Sequence, residues 1–309
     1  MKVLKFDTGP DHLPRATRFL ASAVDLSIAD DDGMYVAGSD WHYLHCGASA
    51  LNIILAAHGL ADIPPPSSVL DFGAGAGRVT RWLRAAFPEA HISACDLRPE
   101  DMRFCRDHFG AEIWISGTDI AALSVPRRYD LIWVGSVLTH LSAPKARELI
   151  DKFLGWLNVS GVLVMSTIGR QAYTRRDSKG MAFIHERGWT SVVEGYAAHG
   201  YGYADYKNQA GYGLSLISLP WISTLVESLP SARLVLLAES VWDDLHDVVA
   251  VQSIAASPLA KVRVVPKAFR PAASALDWSR TALASQPTLS RAIQPLRSAL
   301  RWVRQIRRA

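Results

Sequence analysis

Three glycines at alternate positions, Gly73, Gly75 and Gly77, follow an acid, Asp71, at the end of an apolar run that starts at Ser68. Glycine has no Cβ, so a ligand can lie almost on the backbone there, and a helix start just beyond presents unpaired N–H groups. Val79 to Phe87 reads as that helix. A dinucleotide fits the bend poorly. Its fingerprint needs glycine at the first, third and sixth positions, and the sixth residue counted from Gly73 is Arg78. Asp71 would also repel a doubly negative pyrophosphate. A ligand with an ammonium group suits that acid better, and its carboxylate can meet loop N–H groups and Arg78. A second acid, Asp96, ends the run His91 to Asp96, 25 residues after Asp71. An acid at a strand tip can accept both ribose hydroxyl protons. Gly117-Thr118-Asp119 follows a third run, where Asp119, or Thr118 in its place, can receive an adenine amino group. A fourth run, Tyr129 to Gly135, leads into Ser136-Val137-Leu138-Thr139-His140-Leu141. Histidine titrates near neutrality, which makes His140 either a general base or a residue that orients the helix expected from Leu141 to Leu157.

These groups need a scaffold that aligns strand ends. From Ser68 to Gly161 short apolar runs alternate with helical patterns, the signature of a parallel sheet with crossover helices and an α/β fold. Pro64-Pro65-Pro66 is a stiff lead into the first strand. Residues 1–34 read as loop, and Tyr35 to Leu60 as helical in its second half. Gly161 to Thr167 is a fifth strand. Residues 170–213 break the alternation, carrying Tyr173, Trp189, Tyr196, Tyr201, Tyr203, Tyr206 and Tyr212 among many glycines, an insertion above the strand ends. Leu214 to Leu229 reads as a helix. Ala232 to Glu239 and Asp247 to Ser253 read as a closing antiparallel hairpin. The organisation is then 1–66 as N-terminal segment and lid, 67–255 as the main domain, and 256–309 as a tail.

Four motifs stand in order: Leu70-Asp71-Phe72-Gly73-Ala74-Gly75-Ala76-Gly77-Arg78, Cys95-Asp96-Leu97, Gly117-Thr118-Asp119 and Tyr129-Asp130-Leu131-Ile132. In these the chain resembles the class I S-adenosylmethionine-dependent methyltransferases from about Tyr35 to Ser253. The resemblance implies a Rossmann-like, doubly wound seven-stranded sheet, order 3-2-1-4-5-7-6, with the last strand antiparallel. It implies S-adenosyl-L-methionine as cofactor and S-adenosyl-L-homocysteine as product. The cofactor residues it implies are Asp71, Gly73, Ala74, Gly75, Gly77 and Arg78 in the bend, then Asp96, Leu97, Thr118, Asp119 and Ser136. It sets His140 near the transferred methyl. Ser136 to Leu141 and Leu245-His246-Asp247-Val248-Val249 further resemble bacterial methyltransferases linked to surface-glycan synthesis. That family often has Cys where Ala74 stands and Pro where Ala76 stands.

Base-methylating enzymes carry Asn or Asp then Pro-Pro and an aromatic residue after the fourth strand, and here that place reads Gly135-Ser136-Val137-Leu138. A glycan or small hydroxylated acceptor is therefore expected, with Tyr43, Tyr201, Tyr203 and Tyr206 as its aromatic contacts, and no nucleic acid. A cofactor-binding scaffold without catalysis and an NAD-dependent oxidoreductase are the alternatives. No His/Cys/Asp/Glu cluster has metal-ligand spacing, so no metal is expected. Cys46, Cys95 and Cys105 form no disulfide framework. With no run of eighteen apolar residues and no long apolar start, a cytoplasmic protein is expected.

The net charge of +4 is unevenly spread. Lys261 onward holds eleven basic residues and one acid, leaving 22 basic and 28 acidic residues before it. Within the tail, apolar residues recur at helical spacing over 289–308, with Arg297, Arg301, Arg304 and Arg308 on one face and Trp302 near its boundary. Such a helix can lie on the inner face of an anionic membrane, contact a glycosyltransferase, or dock on its own domain.

Overall fold

The computed structural model describes residues 2–6, 10–174 and 184–255. The chain opens with a small ladder, β1 (Lys2–Val3) against β2 (Ser27–Ile28), and two 3-10 turns, where a loop is expected. Buried Arg81 anchors this segment, donating from Nη1 to the carbonyls of Asp25 at 3.0 Å and Ser27 at 2.9 Å. Helix α1 (Asp40–Ala61) follows and stops where Asp62 turns left-handed. It is long and apolar enough to cross a membrane, unlike the expectation, because the average tolerates its scattered Gly, Ser and His. Yet 61% of that apolar window is buried inside the fold.

The main sheet begins at β3 (Ser68–Phe72), buried on both faces as a central parallel strand must be. Asp130 fixes its start, accepting from the N–H groups of Ser67 at 2.9 Å and Ser68 at 3.0 Å. Then come α2 (Thr80–Ala86), β4 (His91–Asp96), α3 (Pro99–Phe109), β5 (Glu112–Ile115), β6 (Tyr129–Val134), α4 (Ala143–Trp156) and β7 (Leu157–Thr167). Helix α3 shows why sequence punctuation works. Pro99 and two acids fill its first turn, where a missing N–H and negative charge are favourable, and Gly110 at φ +60° ends it.

Beyond β7 lie α5 (Arg170–Thr174), α6 (Glu186–His199) and a separate hairpin, β8 (Tyr201–Tyr206) with β9 (Gln209–Ile217). The helix expected over Leu214 to Leu229 is a correction. Leu214 to Ile217 continue β9, and helix α7 (Leu219–Glu227) starts afterwards. Ser218 caps it, accepting from Trp221 N–H at 3.3 Å, and Pro220 occupies its first turn. Strands β10 (Ala232–Trp242) and β11 (His246–Ser253) close the chain's described part.

The sheet order is β10-β11-β7-β6-β3-β4-β5, with β11 antiparallel to both neighbours. Renumbered from β3, this is 3-2-1-4-5-7-6, the expected Rossmann-like arrangement. One core lies between the sheet and α1 to α3, centred on Leu51, Trp82 and Trp133. The other lies under α4 and α7, around Phe153, Ile222 and Val249. The tail helix expected at 289–308 lies outside the described residues.

Candidate active site

The glycine bend is held by its neighbours before any ligand arrives. Gly73 and Ala74 donate their N–H groups to the carbonyl of Cys95 at 2.8 and 3.1 Å, tying the bend to the end of β4. Gly73, Gly75 and Gly77 all take positive φ, +78°, +53° and +81°. Their surroundings differ. A Cβ on Gly77 would come within 2.3 Å of Phe109 Cε2, and one on Gly73 within 2.5 Å of Val137 Cγ2. A Cβ on Gly75 would meet nothing within 4 Å. Gly77 thus serves packing, whereas Gly75 opens onto empty space.

That space is a cavity of about 640 Å³ along the C-terminal ends of β3, β4 and β6, within the range of small-molecule sites. Asp71, Gly73, Ala74, Gly75, Arg78, Asp96, Leu97, Thr118, Ser136 and His140 all line it. Asp71 is 1% exposed and accepts from Thr80 Oγ1 at 2.7 Å. Burial pushes its carboxyl up to about 7; the Thr80 bond and Arg78 pull against this, and Asp96 adds to it. Asp96 accepts from Gly75 N–H at 2.8 Å and from Leu97 N–H at 2.7 Å, which fixes the carboxylate between bend and strand tip. Arg78 makes no ion pair among the described residues; its guanidinium lies 5.9 Å from the Tyr43 ring.

On the other side, Ser136 holds φ +58°, and its N–H donates to Ser166 Oγ at 2.7 Å. This non-glycine residue in a strained region sits where β6 gives way to the cavity. His140 follows in a 3-10 turn, Leu138–His140. The Gly213 carbonyl lies 2.9 Å from its Nδ1 and can only accept, so Nδ1 carries the proton and Nε2 the lone pair. Tyr206 Oη is 3.0 Å from the same nitrogen, and Tyr212 lies against the ring at 4.8 Å between centroids. Burial lowers the imidazole's pKa, and the Gly213 bond partly offsets this.

Other expected site residues fall elsewhere. Gly77 packs on α3. Asp119 is exposed and accepts from Ala121 N–H at 3.0 Å, while Thr118 lines the cavity. Tyr43 is buried with its hydroxyl donating to Asp32 at 2.5 Å. Tyr201 donates to the Leu141 carbonyl at 2.7 Å, and Tyr203 to Asp205 at 2.5 Å. Gly77, Asp119, Tyr43, Tyr201 and Tyr203 do not line the cavity, and Tyr206 stands behind it against His140 and Tyr212. The three thiols are buried and raised in pKa, Cys46 to about 11 and Cys95 to about 12, which makes them poor nucleophiles.

Several lining residues escaped the sequence. Gly33 and Met34 bring the N-terminal segment to the rim. Trp133 and Trp242, edge to face at 5.1 Å, form a wall, and a Cβ on Gly135 would come within 2.9 Å of both. Asp101 is 5% exposed, has no partner for Oδ1 among the described residues, and is pushed by burial up to about 6. Lys145, Gly211 and Tyr212 meet only through the β8–β9 hairpin. Pro99 followed by an acidic first turn hinted at Asp101; the rest had no local signal.

Sheet order, glycine bend and paired strand-tip acids agree with the fold of class I S-adenosylmethionine-dependent methyltransferases. The family model described as a methyltransferase domain matches residues 69–161. The malonyl-[acyl-carrier protein] O-methyltransferase of Anoxybacillus flavithermus is 32% identical over 112 residues, which is 36% of this chain and 42% of that protein. That of Laribacter hongkongensis is 29% identical over 154 residues, covering 43% and 51%. The chain spans about half the length of these curated relatives. Among solved structures, the N-methyltransferase NodS from Bradyrhizobium japonicum with S-adenosyl-L-homocysteine aligns at 19% identity, with 73% of this chain and 93% of that one covered and a TM-score of 0.43. The plantazolicin methyltransferase BpumL aligns at 13% identity, covering 69% and 85%, with a TM-score of 0.47.

Proposed function

We propose that this protein transfers a methyl group from S-adenosyl-L-methionine to a hydroxyl oxygen of a glycan or small hydroxylated acceptor, with His140 as general base. The supporting observation is the contact between His140 Nδ1 and the Gly213 carbonyl, which sets the tautomer. The Nδ1 proton is committed to the Gly213 carbonyl at 2.9 Å, so Nε2 holds a lone pair on a residue that lines the cavity.

The cofactor brings a methyl on a sulfonium, already bound to a good leaving group. The chain's share of the work is alignment and exclusion of water. Asp71 and the Gly73 region fit the ammonium group, Arg78 and the bend N–H groups the carboxylate, and Asp96 the ribose hydroxyls. A hydroxyl acceptor needs its proton removed as the new C–O bond forms, and Nε2 is the base for that proton. The names of the curated relatives, O-methyltransferases acting on malonyl-[acyl-carrier protein], support oxygen as the methylated atom. Membrane or glycosyltransferase contact through 289–308 is a further part of this proposal, resting on sequence pattern alone.

Incubating the full chain with S-adenosyl-L-methionine and a panel of saccharides and small alcohols tests the reading. Formation of S-adenosyl-L-homocysteine dependent on an acceptor, lost in His140→Ala with cofactor affinity retained, is expected. Equal turnover in His140→Ala removes the base role. Uptake of NAD in place of the methyl donor contradicts the reading outright.

A further inference from the structure

Charge is distributed unevenly around the cavity. The carboxylates on its lining, Asp32, Asp71, Asp96 and Asp101, all lie on the side built by the N-terminal segment, β3, β4 and α3. The lining from Ser136 through α4 and the β8–β9 tip has no acid and one permanent cation, Lys145. Lys145 stands in the first turn of α4 and is half-buried. Its Nζ donates to the Gly211 carbonyl at 3.1 Å, and no carboxylate among the described residues pairs with it. An ammonium has three donors, and one kept partly out of water beside a neutral carbonyl remains uncompensated.

The cofactor of the proposed reaction carries one carboxylate, and Arg78 at the glycine bend is an unpaired cation suited to it. Two unpaired cations line a cavity whose cofactor satisfies one. The hairpin that receives Lys145 at Gly211 also fixes His140 at Gly213, two residues on. Lys145 is therefore held by the same strand that sets the base. The first turn of α4 contains no acid, and Ser142 makes no side-chain cap, so the helix start adds to the positive field there.

We infer that Lys145 binds a negatively charged group of the methyl acceptor, a carboxylate or a phosphate, so that the substrate is an anionic hydroxylated molecule. This rests on the methyltransferase reading above. It makes Lys145 a specificity-determining residue and leaves the acid-rich side to the cofactor.

The test uses the full chain saturated with S-adenosyl-L-homocysteine and titrated calorimetrically with D-glucuronate, D-glucose 6-phosphate and D-glucose. At least one anionic sugar is expected to bind roughly tenfold or more tighter than glucose, the size of a hydrogen bond to a charged group. Which of the two binds distinguishes carboxylate from phosphate. Lys145→Gln keeps a donor for Gly211 and removes the charge. It is expected to erase the preference while S-adenosyl-L-homocysteine affinity stays within about twofold, and Lys145→Arg to retain it. Equal binding of glucose, absence of binding by both anions, or a preference that survives Lys145→Gln overturns the inference. So does a Lys145→Gln protein that loses S-adenosyl-L-homocysteine, because the lysine would then serve the cofactor. If the wild-type chain takes up no S-adenosyl-L-homocysteine, the methyltransferase reading itself fails first.

Discussion

The two sides of the cavity are built in different ways. The cofactor side is local: Asp71 to Arg78 is one unbroken stretch, held by the Cys95 carbonyl and by Asp96 across one strand. The side proposed for the acceptor is assembled from distant parts. His140 meets Gly213 across 73 positions and Lys145 meets Gly211 across 66. One side is shaped by backbone in the region that favours glycine, the other by side chains pinned under a separate hairpin. The difference teaches that a backbone-made site can bind the same cofactor with little regard for side-chain identity, while substrate choice rests on tertiary contacts. The residues Ala74 and Ala76, which depart from the resembled pattern, lie in the first kind of site and leave the bend intact.

The largest effect that would sharpen this contrast is expected at His140. His140→Ala should lower kcat by roughly 10²- to 10⁴-fold, the span for losing a general base, with calorimetric affinity for S-adenosyl-L-homocysteine unchanged. A loss of both would erase the division between the two sides. Asp96→Ala comes next. It removes the acceptor for Gly75 N–H as well as the proposed ribose partner, so cofactor affinity should fall on the order of tenfold to a hundredfold.

Within the bend itself, Gly77→Ala and Gly75→Ala separate packing from binding. The first places a methyl against Phe109 and should cost about 1–3 kcal/mol in chemical denaturation. The second meets open space and should spare more of the fold while weakening cofactor uptake. The opposite ranking would mean that the cavity does not lie over Gly75.

Protonation gives a smaller handle. The Asp71 carboxyl titrates at about 7 in the folded chain, against roughly 3.9 when unfolded. A raised acid contributes stability that is complete below the unfolded value and is lost as pH rises through the folded one. A cationic ligand prefers the ionised form, so it recovers that loss. The melting-temperature gain from S-adenosyl-L-homocysteine should thus be greater near pH 7.5 than near pH 5.5, while its amino group is still charged. His140 moves the other way: its lowered pKa keeps Nε2 unprotonated, so kcat/KM for the acceptor, measured with S-adenosyl-L-methionine saturating, should hold through pH 6.5 and fall only below it. Tyr206→Phe should have the mildest effect, a few-fold change in kcat, because Gly213 still holds the Nδ1 proton.

The sequence revealed the sheet because each strand carries its own apolar run and its own stop. Asp71 and Asp96 were readable for the same reason: a strand tip followed by glycine or proline is a local event. The β8–β9 hairpin was not. Leu214 to Leu229 is rich in apolar residues broken by scattered Ser and Thr, and a run of that kind fits a strand or a helix equally until Ser218 and Pro220 are read as a cap. Tyr201 and Tyr203 looked like acceptor contacts because aromatic residues suit sugars, yet their hydroxyls are spent on Leu141 and Asp205. Tyr212, which does lie on His140, differs from them only in where the hairpin turns. Lys145 is one of two lysines on the described helices, with nothing local to mark it until Gly211 is brought to it.

Titration of the purified full chain with S-adenosyl-L-homocysteine tests the central claim most directly. Saturable binding at a single site, weakened by Asp96→Ala and preserved in His140→Ala, is the predicted result. A folded chain that shows neither heat of binding nor a rise in melting temperature at millimolar ligand, on the order of the weakest affinities that count as specific, would contradict it.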